Sequence, residues 1–132
     1  MRKIFGLAVA LALAGCGSLG LFSREPPVYA VFFDAHDVSL TPDGRKIVDN
    51  AAADARAHPR QIVEVSGPST KAAPGYDPAL AEARIRLVEQ TLVGDGVAPN
   101  RMFRAPSPIT DLKAGKSGAQ RVEIRLKDAP AS

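Results

Sequence analysis

Two short stretches, Thr41-Pro42-Asp43 and Asp77-Pro78, restrict this chain more than anything else in it. Each sets an N-capping side chain before a proline at the first helical position, and the first adds an acid in the opening turn. Each also follows a run with strand character. Residues 28–33 read VYAVFF and residues 61–66 read QIVEVS, rich in β-branched or aromatic side chains. The first run is apolar throughout, so a buried strand is expected there. A chain punctuated strand, helix, strand, helix must lay its helices on a sheet.

The first helix is expected to run from its Thr41 cap to about Ala57, where Pro59 stops it. Ile47, Ala51 and Ala55 make one apolar stripe, with Val48 and Ala52 beside it. The second helix shows Leu80, Ala81, Ile85, Val88 and Leu92 on one side, with Gly94 as a left-handed stop. Residues 102–105 make a short, weak strand. Residues 121–127, RVEIRLK, alternate cleanly. Val122, Ile124 and Leu126 should face inward, and Arg121, Glu123, Arg125 and Lys127 outward. The order β-α-β-α-β-β predicts an α/β sandwich of the α+β kind, with two helices covering one face of the sheet.

The first fifteen residues have a different character. Arg2-Lys3 is basic, residues 4–14 are apolar apart from Gly6, and Leu13-Ala14-Gly15-Cys16 follows. A basic start, a short apolar core and small residues at the exit read as a secretory signal over 1–15, too short to span a bilayer. Cys16 is the chain's one cysteine. "LAGC" in this place resembles the lipobox of bacterial lipoproteins. That resemblance implies a diacylglycerol on the Cys16 sulfur, cleavage before it and acylation of the new amine. Each buried CH₂ contributes about 0.8 kcal/mol and two membrane signals suffice for stable anchoring, so three chains would hold the protein permanently. The mature protein would then lack a thiol, and its fold must rest on a packed core.

Residues 16–27 become a lipidated cysteine and a tether ending at Pro26-Pro27. As a flexible coil the tether averages roughly 20 Å, so the domain over 28–127 should sit near its membrane. Residues 128–132 read as a frayed tail. Gly17 is not the aspartate that holds related lipoproteins at the inner membrane, which points to the outer membrane, with the domain facing the periplasm. Taking Arg2 and Lys3 from the 17 basic side chains leaves 15 against 14 acidic ones. The near-balance excludes the basic footprint of a nucleic-acid binder.

Three segments carry a further resemblance. "VFFDAHDVSLTPDG" looks like the opening of an OmpA-like domain, "YDPALAEARIRLVEQTL" is similar to that family's second helix, and "AQRVEIRL" resembles its closing strand. Tyr76, Leu80, Arg84, Val88 and Leu92 fall on the helix pattern. Asp77, Ala81 and Ile85 stand where the family has Asn, Ser and Ala. The resemblance covers about residues 29–126. It implies two helices on one face of a mixed sheet and non-covalent binding of peptidoglycan.

In that family the helix arginine takes a carboxylate of the diaminopimelate stem peptide, and an aspartate in a G-x-T-D turn takes its ammonium. Arg84 matches the arginine, whose planar fork suits a bidentate contact. Helix geometry agrees. With Leu80 at zero, Arg84 lies near about 40° and Asp77 near about 60°, beside a stripe at about 80–140°. Arg84 should therefore border the core. The turn departs from the family pattern. Pro68, Ser69 and Thr70 follow Gly67, so Thr70 replaces the acid, Lys71 comes next, and the segment to Tyr76 is one residue shorter. Asp34, Asp37 or Asp77 would have to supply an anion. His36 stands where the family often has Asp or Asn.

No catalytic constellation emerges. There is no G-x-S-x-G elbow, and His36 and His58 are neither paired nor joined by cysteine at ligand spacing. "FDAHD" reads as a strand end turning toward a cap, and "KAGK" at 113–116 as a loop. No cofactor is implied and no enzymatic activity is expected. The expected function is an outer-membrane lipoprotein whose domain binds the peptidoglycan stem peptide through Arg84, Asp77, Thr70 and Ser69. The alternative is a degenerate OmpA-like domain without that affinity, whose partner is another envelope protein.

Overall fold

The computed structural model describes residues 27–68, 75–105 and 119–130. The elements are β1 (Val28–Phe32), α1 (Pro42–Ala57), β2 (Gln61–Ser66), α2 (Pro78–Gly94), a 3-10 turn (Pro99–Arg101), β3 (Met102–Arg104) and β4 (Arg121–Asp128). The expected order β-α-β-α-β-β is observed. The sheet is four-stranded in the order β1-β4-β2-β3. β4 runs antiparallel to both β1 and β2, whereas β2 and β3 are parallel, so the sheet is mixed. Among the described residues, no helix is long and apolar enough to cross a membrane. Cys16 and the signal and tether readings lie outside the described residues, as do Ser69 and Thr70.

Both helices start as their sequences dictate. Thr41 Oγ1 accepts from Gly44 N–H at 3.0 Å, and Asp77 Oδ1 accepts from Ala79 and Leu80 N–H at 2.9 and 3.3 Å. α1 lies against β1 and β2, and α2 against β2 and β4. The core between them joins Val31, Phe33, Val63, Val65, Val122, Ile124 and Leu126 of the sheet side to Val48, Ala51, Ala52, Ala55, Val88 and Leu92 of the helices. The run of alanines lets α1 approach closely, so a core poor in large aromatics still fills. Gly67 serves the same closeness: a Cβ there would sit 2.9 Å from Ile85 Cδ1.

Four expectations need correction. β1 is an edge strand and not a buried one: Val28 and Phe32 are 47% and 48% exposed, while Val31 between them is fully buried. Phe33 lies past its end, buried, with its N–H donating to Gln120 O at 2.8 Å. Gly94 is the last residue of α2; the left-handed position belongs to Gly96, at φ 100°. Asp95 intervenes because its N–H still reaches Thr91 O at 2.9 Å, extending the helical pattern. Glu123 faces outward but is buried at 7% exposure. It sits on an interior strand between Arg121 at 3.3 Å and Arg125 at 3.0 Å, whose long side chains shield it. The fourth correction concerns Arg84 and belongs with the site.

Two arginines secure the far side of the sheet. Arg101 closes the C-terminal end of α1: its Nη2 donates to the carbonyls of Ala55, His58 and Gln61 at 2.9, 2.8 and 2.8 Å. Arg104 ties the three-residue β3 to α2 through Glu82 and Glu89, at 2.8 and 2.7 Å.

Candidate functional site

Antiparallel pairing of β1 with β4 brings the end of β1 beside the start of β4, with Phe32 opposite Arg121. The N-terminus of α2 meets the same end. There, Ala35, His36, Gly75, Asp77, Leu80, Arg84 and Gln120 line a cavity of about 220 Å³. The sequence places Arg84 and Asp77 on one side of α2, and the structure brings both into this cavity. Ser69 and Thr70, the other two expected contacts, fall outside the described residues.

Arg84 is 3% exposed, so it lies within the buried face of α2 and not at its border. The buried residues of that helix are Ala81, Arg84, Val88, Thr91 and Leu92. On the helical wheel they span about 20–120°, an arc centred nearer to Arg84 than the apolar residues alone suggest. Thr91 explains the rotation. Its hydroxyl donates to Leu87 O at 2.7 Å, so a polar residue turns inward at no cost in unmade hydrogen bonds.

The guanidinium holds the connection between β1 and α1. Nε donates to Asp37 O at 2.9 Å and Nη2 to Asp34 O at 3.1 Å. Its centre lies 5.3 Å from the Phe33 ring centroid, a cation–π distance. One edge of the planar fork is therefore committed to two backbone carbonyls. Nη1 and the second hydrogen of Nη2 form the other edge, which is the geometry that receives a carboxylate. Burial pulls the Arg84 pKa down, and the nearby Asp37 and Asp77 carboxylates oppose that shift. An arginine tolerates this because its guanidinium stays protonated.

The acids named as substitutes for the missing aspartate occupy distinct places. Asp34 and Asp37 offer Arg84 their carbonyls, and the Asp37 carboxylate accepts from Val38 N–H at 2.7 Å. Asp77 spends Oδ1 on capping α2, and its side chain stays at the exposed rim. His36 stands between them in the left-handed region, at φ 63°. That conformation is uncommon for a residue with a Cβ and is found where surrounding structure enforces it. The turn Asp34–Asp37 closes with a backbone bond of 3.1 Å. Sequence reasoning missed Gln120 as a lining residue. The signal was available: it directly precedes β4, and antiparallel pairing places it beside the end of β1. Gly75 was missed too; its φ of 77° is the left-handed turn that delivers the chain to Asp77.

No family model matches the sequence. Outer membrane protein A of Bordetella avium is 32% identical over 102 residues, which cover 72% of this chain and 53% of that protein. Outer membrane porin F of Pseudomonas fluorescens is 33% identical over 104 residues, 74% of this chain and 32% of that protein. The OmpA-like domain of FopA1 from Francisella tularensis superposes with a TM-score of 0.61 at 21% identity, covering 78% of this chain and 75% of its own. The chain carries an OmpA-like domain. The peptidoglycan-associated lipoprotein from Burkholderia pseudomallei has the same fold, with a TM-score of 0.60 at 20% identity over 75% of this chain and 90% of that one. The chain spans about half of the first curated relative and a third of the second. In this OmpA-like domain, the cavity that Arg84 of α2 lines is also lined by two left-handed positions, His36 and Gly75.

Proposed function

We propose that this protein is an outer-membrane lipoprotein, anchored through Cys16, whose OmpA-like domain binds peptidoglycan non-covalently and links the membrane to the cell wall. The single observation carrying the reading is Arg84: a buried guanidinium at the wall of a cavity, one edge fixed by two carbonyls and the other without a protein partner among the described residues. A fixed fork is pre-organised for a stem-peptide carboxylate and loses little entropy on binding. Asp77, at the rim, is the one acid among the described residues that line the cavity, and its Oδ2 is available to the ligand's ammonium. Ser69 and Thr70 can add hydroxyl hydrogen bonds. The relatives' names, outer membrane protein A and peptidoglycan-associated lipoprotein, support the same reading.

A second reading rests on a specific feature. Thr70 stands where the family has the ammonium-binding aspartate, and Lys71 follows it. A domain so changed would keep Arg84 for its loop carbonyls alone and serve as an interaction module with another envelope protein. A pull-down on purified sacculi separates the two. Wild-type binding that Arg84→Lys weakens supports the first reading, since an ammonium cannot reproduce the fork. Binding absent in wild type that appears with Thr70→Asp supports the second.

A further inference from the structure

The sheet leaves one strand edge whose chemistry is unusual. Val31 and Tyr29 pair with Val122 and Ile124, and Phe33 N–H donates to Gln120 O at 2.8 Å. In an antiparallel ladder the hydrogen-bonded positions alternate, so the N–H and C=O groups of Val28, Ala30 and Phe32 point away from β4. Those groups have no backbone partner on that side among the described residues. The side chains of Val28 and Phe32 lie on the outer face of the sheet, 47% and 48% exposed.

Natural edges are usually protected by charge, proline, a bulge or brevity. The opposite edge, β3, follows that rule: it is three residues long and carries Arg104. β1 does not. It is five residues of VYAVF, with no charge and no proline inside the strand. It is also self-complementary. Val28 and Phe32 lie equally far from Ala30, one on each side, and both are apolar. If two such edges meet antiparallel with Ala30 at the dyad, Ala30 faces Ala30. Each Val28 then faces a Phe32, and all three outward-pointing positions make their backbone bonds. Pro27 and the turn Asp34–Asp37 limit the pairing to this stretch.

We propose that the free edge of β1 pairs with the β1 edge of a second copy of this chain, antiparallel about Ala30, joining two sheets into one of eight strands. The contact is small. Stable dimers bury about 1,200 Å² or more in total, and five residues on each side fall below that, so the dimer forms at high local concentration.

Cysteine cross-linking in membranes of cells expressing the full chain tests the register. Paired Cα atoms at a hydrogen-bonded position stand about 5.5 Å apart, within the disulfide range of about 4.4–6.8 Å. Ala30→Cys should therefore give a covalent dimer on mild oxidation. Val28→Cys alone should not, because two Val28 residues would be about 14 Å apart along the strands. The double variant Val28→Cys with Phe32→Cys should cross-link again, since each new cysteine faces the other kind. Wild type, with Cys16 alone, is the background control. Absence of cross-linking in both Ala30→Cys and the double variant overturns the proposal. So does equal cross-linking of Val28→Cys alone, or a product whose mass differs from twice the chain, which would identify a different protein in the edge.

Discussion

Removing the Arg84 side chain should act on two observables at once, and the structure sets how far each moves. Arg84→Ala deletes two charge-assisted bonds to the carbonyls of Asp37 and Asp34, at 2.9 and 3.1 Å, and the cation–π contact with Phe33. Hydrogen bonds from charged donors contribute about 1.5–3 kcal/mol where the acceptor is otherwise buried. Asp34 and Asp37 are themselves exposed, so water replaces part of that loss. Against this, the emptied volume lies in the buried face of α2. A net loss of about 2–4 kcal/mol follows. Urea unfolding followed by far-ultraviolet circular dichroism reads it directly. Sacculus binding, measured well below the variant's unfolding midpoint, should fall by about 10- to 150-fold for one lost bidentate contact. An unchanged midpoint would refute the loop-holding role. A lowered midpoint with unchanged binding would refute the ligand role and leave Arg84 as a structural residue only.

Arg101→Ala should lower stability by about 1–3 kcal/mol in the same urea assay, since it unties three carbonyls between the last turn of α1 and the start of β2; an unchanged midpoint would mean solvent satisfies them equally well. Burial, with the neighbouring Asp49 carboxylate, raises the Asp95 pKa above the usual carboxylate value, against the opposing pull of Arg45 and Arg56. Its folded form thus holds a proton more tightly than the unfolded chain. The stability it adds relative to Asp95→Asn should be full below the unfolded value of about 3.9 and decline as pH rises through the folded one. Urea midpoints of both proteins at a series of pH values from about 3 to 7 test this sign. His36→Gly should raise the unfolding temperature slightly, by the equivalent of up to about 1 kcal/mol, because glycine accepts φ 63° without strain; a decrease would show that the imidazole makes a stabilising contact. Cys16→Ala should abolish membrane attachment in cell fractionation, and a cleaved variant that still sediments with membranes would sink the lipid-anchor reading.

The fold was legible because its local signals agree with one another. The caps at Thr41 and Asp77 set the helix starts to the residue, and the alternation in RVEIRLK set the inward face of β4. What sequence alone misjudged depends on neighbours brought from elsewhere in the chain. Residues 28–33 look equally apolar in sequence, and only the strand order, with β1 outermost, exposes Val28 and Phe32. Glu123 reads as a solvent-facing residue until β4 is seen to lie between two strands. Periodicity puts Arg84 at the border of the apolar stripe because it counts only apolar side chains. Thr91 and Arg84 are both polar, and both turn inward once their hydrogen bonds are met by carbonyls.

The way Arg84 holds its loop bears on how much the altered residues around it matter. It grips the backbone carbonyls of positions 34 and 37 and none of their side chains. Substitutions along Asp34–Asp37 therefore leave the anchor in place so long as the turn keeps its shape. That freedom accounts for a histidine at position 36, where a change of side chain alters the cavity wall without loosening the guanidinium. It also separates the two halves of the site physically. On the proposed reading, the carboxylate-binding half is Arg84, which α2 and two carbonyls hold whatever side chains those loop positions carry. On that reading the ammonium-binding half is the weakened one, since Thr70 replaces the acid at the family's position after Gly67. A loss confined to the second half lowers affinity for a zwitterionic ligand more than for one that presents only a carboxylate. The ligand preference of this domain should thus shift toward simple anions before binding is lost altogether.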